Sequence, residues 1–256
     1  MSAVAADTAP RGRSLWVDAW ARLRCNRAAV TGAAIIAAMA VLVVVGPWLG
    51  AYAYDFTDWS NLSTRPSFDS GHYFGTDTLG RDLFVRTLHG GRISLLVGVV
   101  ATIVSLLIGV AYGAIAGYAG GRIDAVLMRI VDILYALPFM FFVILLMVFF
   151  GRNIVLIFVA IGAINWLDMA RIVRGQTLSL KRREFVEAAR AQGVAPLAII
   201  GRHIVPNLLG VVMVYITLTI PQVILVESFL SFLGLGVQEP MTSWGALVHE
   251  IGRAHV

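Results

Sequence analysis

From Ala28 to Tyr54, and again from Ile93 to Gly121, the chain carries no Asp, Glu, Lys or Arg. A helix of about 20 apolar residues crosses a hydrocarbon core about 30 Å thick, and inside lipid only helices and closed barrels satisfy their own backbone. Each run therefore predicts a membrane-crossing helix. The composition agrees: 59% of the 256 residues are hydrophobic and 14% charged, where soluble domains carry about a quarter charged residues. Mean hydropathy is +0.82. The fold class read from this is all-α, a polytopic transmembrane helix bundle.

Three more spans are expected. One runs from about Val126 to Phe150, with Asp132 in its first turns, and ends at a tight turn over Gly151, Arg152 and Asn153. The next, Ile154 to about Ile172, is interrupted by Asp168, so it must tilt or bury that carboxylate against another helix. The last, Ile204 to about Phe232, contains Pro221 and Glu227 and is expected to kink. Arginines cluster before the first span and again from Arg171 to Arg202, on one side of a five-span arrangement. The positive-inside rule makes that side cytoplasmic. The expected organisation is a cytoplasmic segment 1–27, a transmembrane domain 28–250 with an outer loop 52–92 and a cytoplasmic loop 173–203, and a tail 251–256.

Several chemistries are excluded or left without a residue set. A P-loop needs a lysine followed by Ser or Thr, and the one lysine, Lys181, precedes Arg182. No serine has glycine at both i−2 and i+2, and no H-E-x-x-H pair exists. Cys25 is the single cysteine, which leaves no internal disulfide and no multi-cysteine metal site. In the outer loop Asp77 and Asp82 supply two carboxylates without EF-hand spacing, a poor Ca²⁺ or Mg²⁺ set. The net charge of +5 comes from residues flanking spans, which reads as a topology signal and headgroup contact rather than nucleic-acid binding.

The segment between the last two spans is helix-forming and amphipathic. Phe185, Ala188, Ala189 and Gln192 fall at i, i+3, i+4 and i+7, and Gly193 follows as a helix-ending residue would. A second short helix is expected from Pro196 to about Ile204. Chemistry alone leaves open an interfacial helix lying in the headgroups. Asp132, Asp168 and Glu227 are intramembrane acids that either pair between helices or serve a transport pathway. Gly109, Gly113 and Gly117 mark one face of the second span as a close helix contact.

Three motifs carry a resemblance. Glu187-Ala188-Ala189, then Gly193, then Arg202-His203-Ile204-Val205-Pro206-Asn207 resembles the EAA signature of permease subunits in ATP-binding-cassette importers. His203 stands where isoleucine is usual and Val205 where leucine is usual, a form similar to the dipeptide, oligopeptide and nickel branch. His72-Tyr73-Phe74-Gly75-Thr76-Asp77-Thr78-Leu79-Gly80-Arg81-Asp82 resembles the outer-loop motif of the C-type subunit. Glu227 to Gly236, continuing to Ser243-Trp244-Gly245, is similar to its C-terminal segment.

The resemblance implies a non-enzymatic pore subunit of the type I importer kind in a bacterial cytoplasmic membrane. It implies a homologous second permease, two cytoplasmic ATPases holding ATP and Mg²⁺, and an extracytoplasmic substrate-binding protein, with no cofactor in this chain. Glu184, Glu187, Ala188, Ala189, Gly193, Arg202, His203 and Pro206 would form the ATPase-coupling loop. His72, Gly75, Thr76, Asp77, Gly80, Arg81 and Asp82 would form an outer loop packed against the partner permease. A stand-alone proton-coupled transporter using the intramembrane acids is the alternative. Subunits of this kind have six spans, so five are expected here, with the sixth, which would follow Gly245, missing from a truncated chain. Ile251 to Val256, which back-translates to a common sequencing adapter, is expected to be a non-native tail.

Overall fold

The computed structural model describes residues 15–254 apart from residue 152. All its regular elements are helical: α1 (Leu15–Cys25), α2 (Arg27–Val45), α3 (Leu83–Ala119), α4 (Gly121–Ala136), α5 (Phe139–Phe150), α6 (Ile154–Leu180), α7 (Glu184–Ala191), α8 (Pro196–Ile199), α9 (Val205–Phe232) and α10 (Trp244–Ala254). Of the expected tail, residues 255 and 256 lie outside the described residues, as do residues 1–14 of the N-terminal segment.

The helices start and stop where side chains permit. Asn26 caps α2 by accepting from the Ala29 amide, and Asp82 caps α3 by accepting from the Val85 amide at 2.8 Å. Because Asp82 starts it, α3 is 37 residues long, about 55 Å at about 1.5 Å per residue, well beyond one bilayer core. Its first ten residues therefore belong to the helix and not to the outer loop expected over 52–92. Arg86 and Arg92 end the hydropathic run there, yet each finds partners: Arg86 in Glu250, and Arg92 in the Val43 and Val44 carbonyls at the end of α2.

Among the described residues, three helical stretches are long and apolar enough to cross a membrane, 27–48, 83–119 and 196–232, and the α4–α5 pair makes a fourth if its 82° bend is one broken span. The break falls at Leu137-Pro138, where Leu137 is extended as a residue before proline prefers. The expected continuous span 126–150 is thus corrected. α6, over the fourth expected span, is one continuous helix of 27 residues. It carries Asp168, Arg171 and Arg174, and it runs to Leu180, which shortens the expected loop 173–203. α9 continues through Pro221 without interruption of the helix. Chain continuity at the start of α9 is kept by a π turn over Ile200–Ile204, in which the Val205 amide donates to the Ile200 carbonyl. Pro206, next in line, has no N–H to lose.

Two apolar clusters form the core. Val97, Ala101, Val143, Met147, Ile161, Val223 and Leu230 fill one half of the bundle. Ala114, Met169, Val173, Ile204, Leu208 and Val212 fill the other. Between them α3 and α6 approach closely along the glycine face: a Cβ on Gly117 would stand 2.8 Å from the Arg174 carbonyl oxygen, and one on Gly113 would overlap that of Ala170.

Candidate functional site

The basic end of the bundle holds α7. Val186 and Ala189 are buried and join Ile199, Ile204 and Leu208 in the inner core cluster. The inward face therefore runs through Val186 and Ala189, a correction to the Phe185, Ala188, Ala189, Gln192 face expected from spacing. Phe185 and Ala188 are exposed, as are Glu184 and Glu187. The helix ends in a Schellman motif: the Gly193 amide donates to Arg190 and the Val194 amide to Ala189, with Gly193 at φ +75°. Arg202 and Pro206 are exposed, and His203 is half-buried with its carbonyl accepting from Asn207 Nδ2 at 2.6 Å.

At the opposite end the loop motif closes on itself. His72 is buried, and because carboxylate oxygen only accepts, its Nδ1 donates to Asp82 at 2.8 Å. Tyr52 stacks on the imidazole with centroids 4.3 Å apart. Asp77 accepts from the Leu79 and Arg81 amides, both at 2.9 Å, and from Arg81 Nε at 2.7 Å. Thr76 bridges to Asp82 through the backbone and accepts from the Thr64 amide. Gly75 and Gly80 have φ of +76° and +75°, and a Cβ on either would overlap a carbonyl oxygen, Thr64 and Asp58 respectively. The seven motif residues thus form one folded unit. Hydrogen bonds from Ser60 and Asn61 hold the Asp58 carboxyl down at about 2.

Within this chain the loop packs on the C-terminal segment. Arg81 Nη2 donates to Glu239 at 3.0 Å, and the fully buried Arg86 reaches Glu250 at the same distance. Burial pushes the Glu250 carboxyl up, against the pull of Arg86 and Arg81. Trp244 donates through its indole to the Thr87 carbonyl and through its amide to Ser94. A Cβ on Gly245 would overlap the Ser228 carbonyl, which explains the Ser-Trp-Gly run as a close backbone contact.

The intramembrane acids are all engaged between or within helices. Asp132 pairs with Arg171 at 2.8 Å, and Asp168 accepts from the Tyr135 hydroxyl. Glu227, fully buried, accepts from Ser94 at 2.9 Å and Ser231 at 2.6 Å. Asp124, not singled out from the sequence, pairs with Arg174 at 2.7 Å and ties α4 to α6. Its signal was its place in the first turn after Gly120-Gly121, where an acid suits a helix start.

Apolar helices, a basic collar at one end and a folded polar cap at the other define a polytopic membrane component. Residues 109–252 match the family described as the binding-protein-dependent transport system inner membrane component, and residues 14–66 match the N-terminal TM domain of oligopeptide transport permease C. The chain is 60% identical over 239 residues to the oligopeptide transport system permease protein OppC of Escherichia coli (strain K12), covering 93% of this chain and 79% of that one. It is 47% identical over 233 residues to the dipeptide transport system permease protein DppC of Bacillus subtilis (strain 168), covering 91% and 72%. The glutathione transport system permease protein GsiD of Escherichia coli O6:K15:H31 is 38% identical over 239 residues, covering 93% and 78%. The chain belongs to the permease subunits of binding-protein-dependent ABC importers, proteins of the bacterial inner membrane.

Proposed function

We propose that this subunit forms half of a peptide pathway and is driven mechanically by two cytoplasmic ATPases through the loop centred on α7. The observation that carries the coupling is the split of α7 into two faces. Val186 and Ala189 are fixed in the core cluster shared with α9, while Glu187 and Ala188 are exposed on the same eight-residue helix. A helix held this way transmits displacement as a rigid body, because close-packed interiors do not deform continuously. The arginine-rich end, and with it the N-terminus, is cytoplasmic under the positive-inside rule. ATP and Mg²⁺ belong to the ATPases, a homologous second permease completes the pathway, and an extracytoplasmic binding protein delivers substrate. Peptides are favoured as cargo by the functions of the relatives, oligopeptide, dipeptide and glutathione transport.

The test is reconstitution of the full complex in liposomes. ATP hydrolysis stimulated by a peptide-loaded binding protein, and not by a nickel-loaded one, is the expected result. A lone chain that moves peptide down a proton gradient without ATPases would overturn the reading.

A further inference from the structure

Two cavities lie end to end along the seam between α3 and the helix that leads into α9. One, of about 430 Å³, is lined by apolar side chains alone apart from Gly201, among them Ala111, Ile115, Leu197 and Val212. The other, of about 830 Å³, is lined by Lys181, Arg182 and Arg190 with a single carboxylate, Glu187. They adjoin: Tyr118 and Ala119 of the basic cavity stand one turn beyond Ile115, and its Pro196 precedes Leu197. An apolar groove thus lies beside a pocket with three cations against one anion.

We infer that this seam binds one anionic phospholipid of the surrounding membrane, its acyl chain in the groove and its phosphate in the basic cavity. Both halves of that ligand are needed to match both cavities. A free anion leaves the groove empty, and a zwitterionic lipid leaves the cations unmatched. The cations are set in place: Lys181 Nζ donates to the Gly117 carbonyl at the end of α3 at 2.8 Å, and the Arg190 guanidinium lies over the Tyr118 ring at 5.5 Å. Lys181 keeps further donors for phosphate, since an ammonium has three. Basic pockets between transmembrane helices are suited to such headgroups. The lipid would bridge α3 to α7, so the loop would rest on the membrane as well as on the core. This goes beyond the coupling reading and does not depend on it.

The test is native mass spectrometry of the full-length chain taken from nanodiscs holding equal phosphatidylglycerol and phosphatidylcholine, without ATPases. One phosphatidylglycerol should be retained in preference to phosphatidylcholine. The combined Lys181→Gln, Arg182→Gln and Arg190→Gln variant should lose that preference, by about fivefold for each cation removed. Ala111→Phe, which fills the groove from an exposed position, should lower retention while the cations stay intact. Circular dichroism checks that both variants keep their helix content. Equal retention of the two lipids, or phosphatidylglycerol retention unchanged in the charge variant, overturns the proposal. So does saturation of the site by glycerol phosphate without lipid. Lipid retention unaffected by Ala111→Phe, with assembly to a second permease lost, would make the groove a subunit seam and overturn it equally. Because no ATPase is present, failure of the coupling reading leaves this result untouched.

Discussion

Arg81, in the outer loop, donates to Glu239, in the segment after α9, across 3.0 Å and 158 positions of sequence. The same guanidinium donates through Nε to Asp77. Arg81 and Asp77 are both buried, whereas the Glu239 side chain is 60% exposed. The ion pairs of Arg81 with Asp77 and Glu239 therefore sit in different surroundings and contribute unequally. Burial works against the Arg81 charge, but the hydrogen bonds to Glu239 and Asp77 outweigh it and hold its pKa up.

Glu239→Gln should change stability by less than about 1 kcal/mol, as expected for an exposed partner. Arg81→Met should cost about 3 kcal/mol, because it leaves buried Asp77 with Arg86, at 3.6 Å, in place of its closer partner. Thermal unfolding of the two variants in the same detergent makes the comparison. Equal losses would mean that the two pairs are equivalent.

The glycines of the loops separate steric demand from backbone demand. Gly80→Val places a Cβ on the Asp58 carbonyl at positive φ, so it should unfold the outer loop and abolish transport. Gly193→Ala meets nothing within 4 Å and carries only the left-handed backbone, so it should cost about 1 to 2 kcal/mol. Limited proteolysis reads the first and thermal unfolding the second. A Gly80→Val protein with a protease-resistant outer loop would contradict the geometry.

Much of this was legible in the sequence because it rests on local chemistry. The uncharged runs around Ala28 and Ile93 announced helices, Gly75, Gly80 and Gly193 announced positive φ, and the glycine face of α3 announced a close contact. What escaped depends on distant partners. The start of α3 was misplaced because Arg86 reads as loop until Glu250, 164 residues on, is seen beside it. The inward face of α7 was misplaced because spacing alone does not weigh Val186 against Phe185. The Leu137-Pro138 break has a sequence signal, the proline, but the apolar run continues on both sides of it and masks the end of the helix.

Asp58 gives the outer loop a pH dependence. Its folded carboxyl sits at about 2, below the ordinary value of 3.8. A depressed carboxyl favours the folded state when deprotonated, so its contribution is present above about pH 4 and is lost as pH falls toward 2. Protease cleavage within 55–70 should rise across that window, and Asp58→Asn should flatten the rise. A cleavage profile identical in the two proteins would assign the acid sensitivity to other groups.

The last prediction separates the two alanines of α7, which sequence spacing put on one face and the structure puts on two. Ala189 is 6% exposed and packed in the inner core cluster, so Ala189→Trp should destabilise the chain itself by about 1 to 3 kcal/mol or more through overpacking. Ala188 is exposed, so Ala188→Trp should leave thermal unfolding of the isolated subunit within about 0.5 kcal/mol of the parent. It should instead weaken co-purification of the ATPases and lower peptide-stimulated ATP hydrolysis, because the added volume meets only the partner. Intact association and coupling in the Ala188→Trp complex would remove α7 from the ATPase interface and leave it a helix that merely closes the basic end of the bundle.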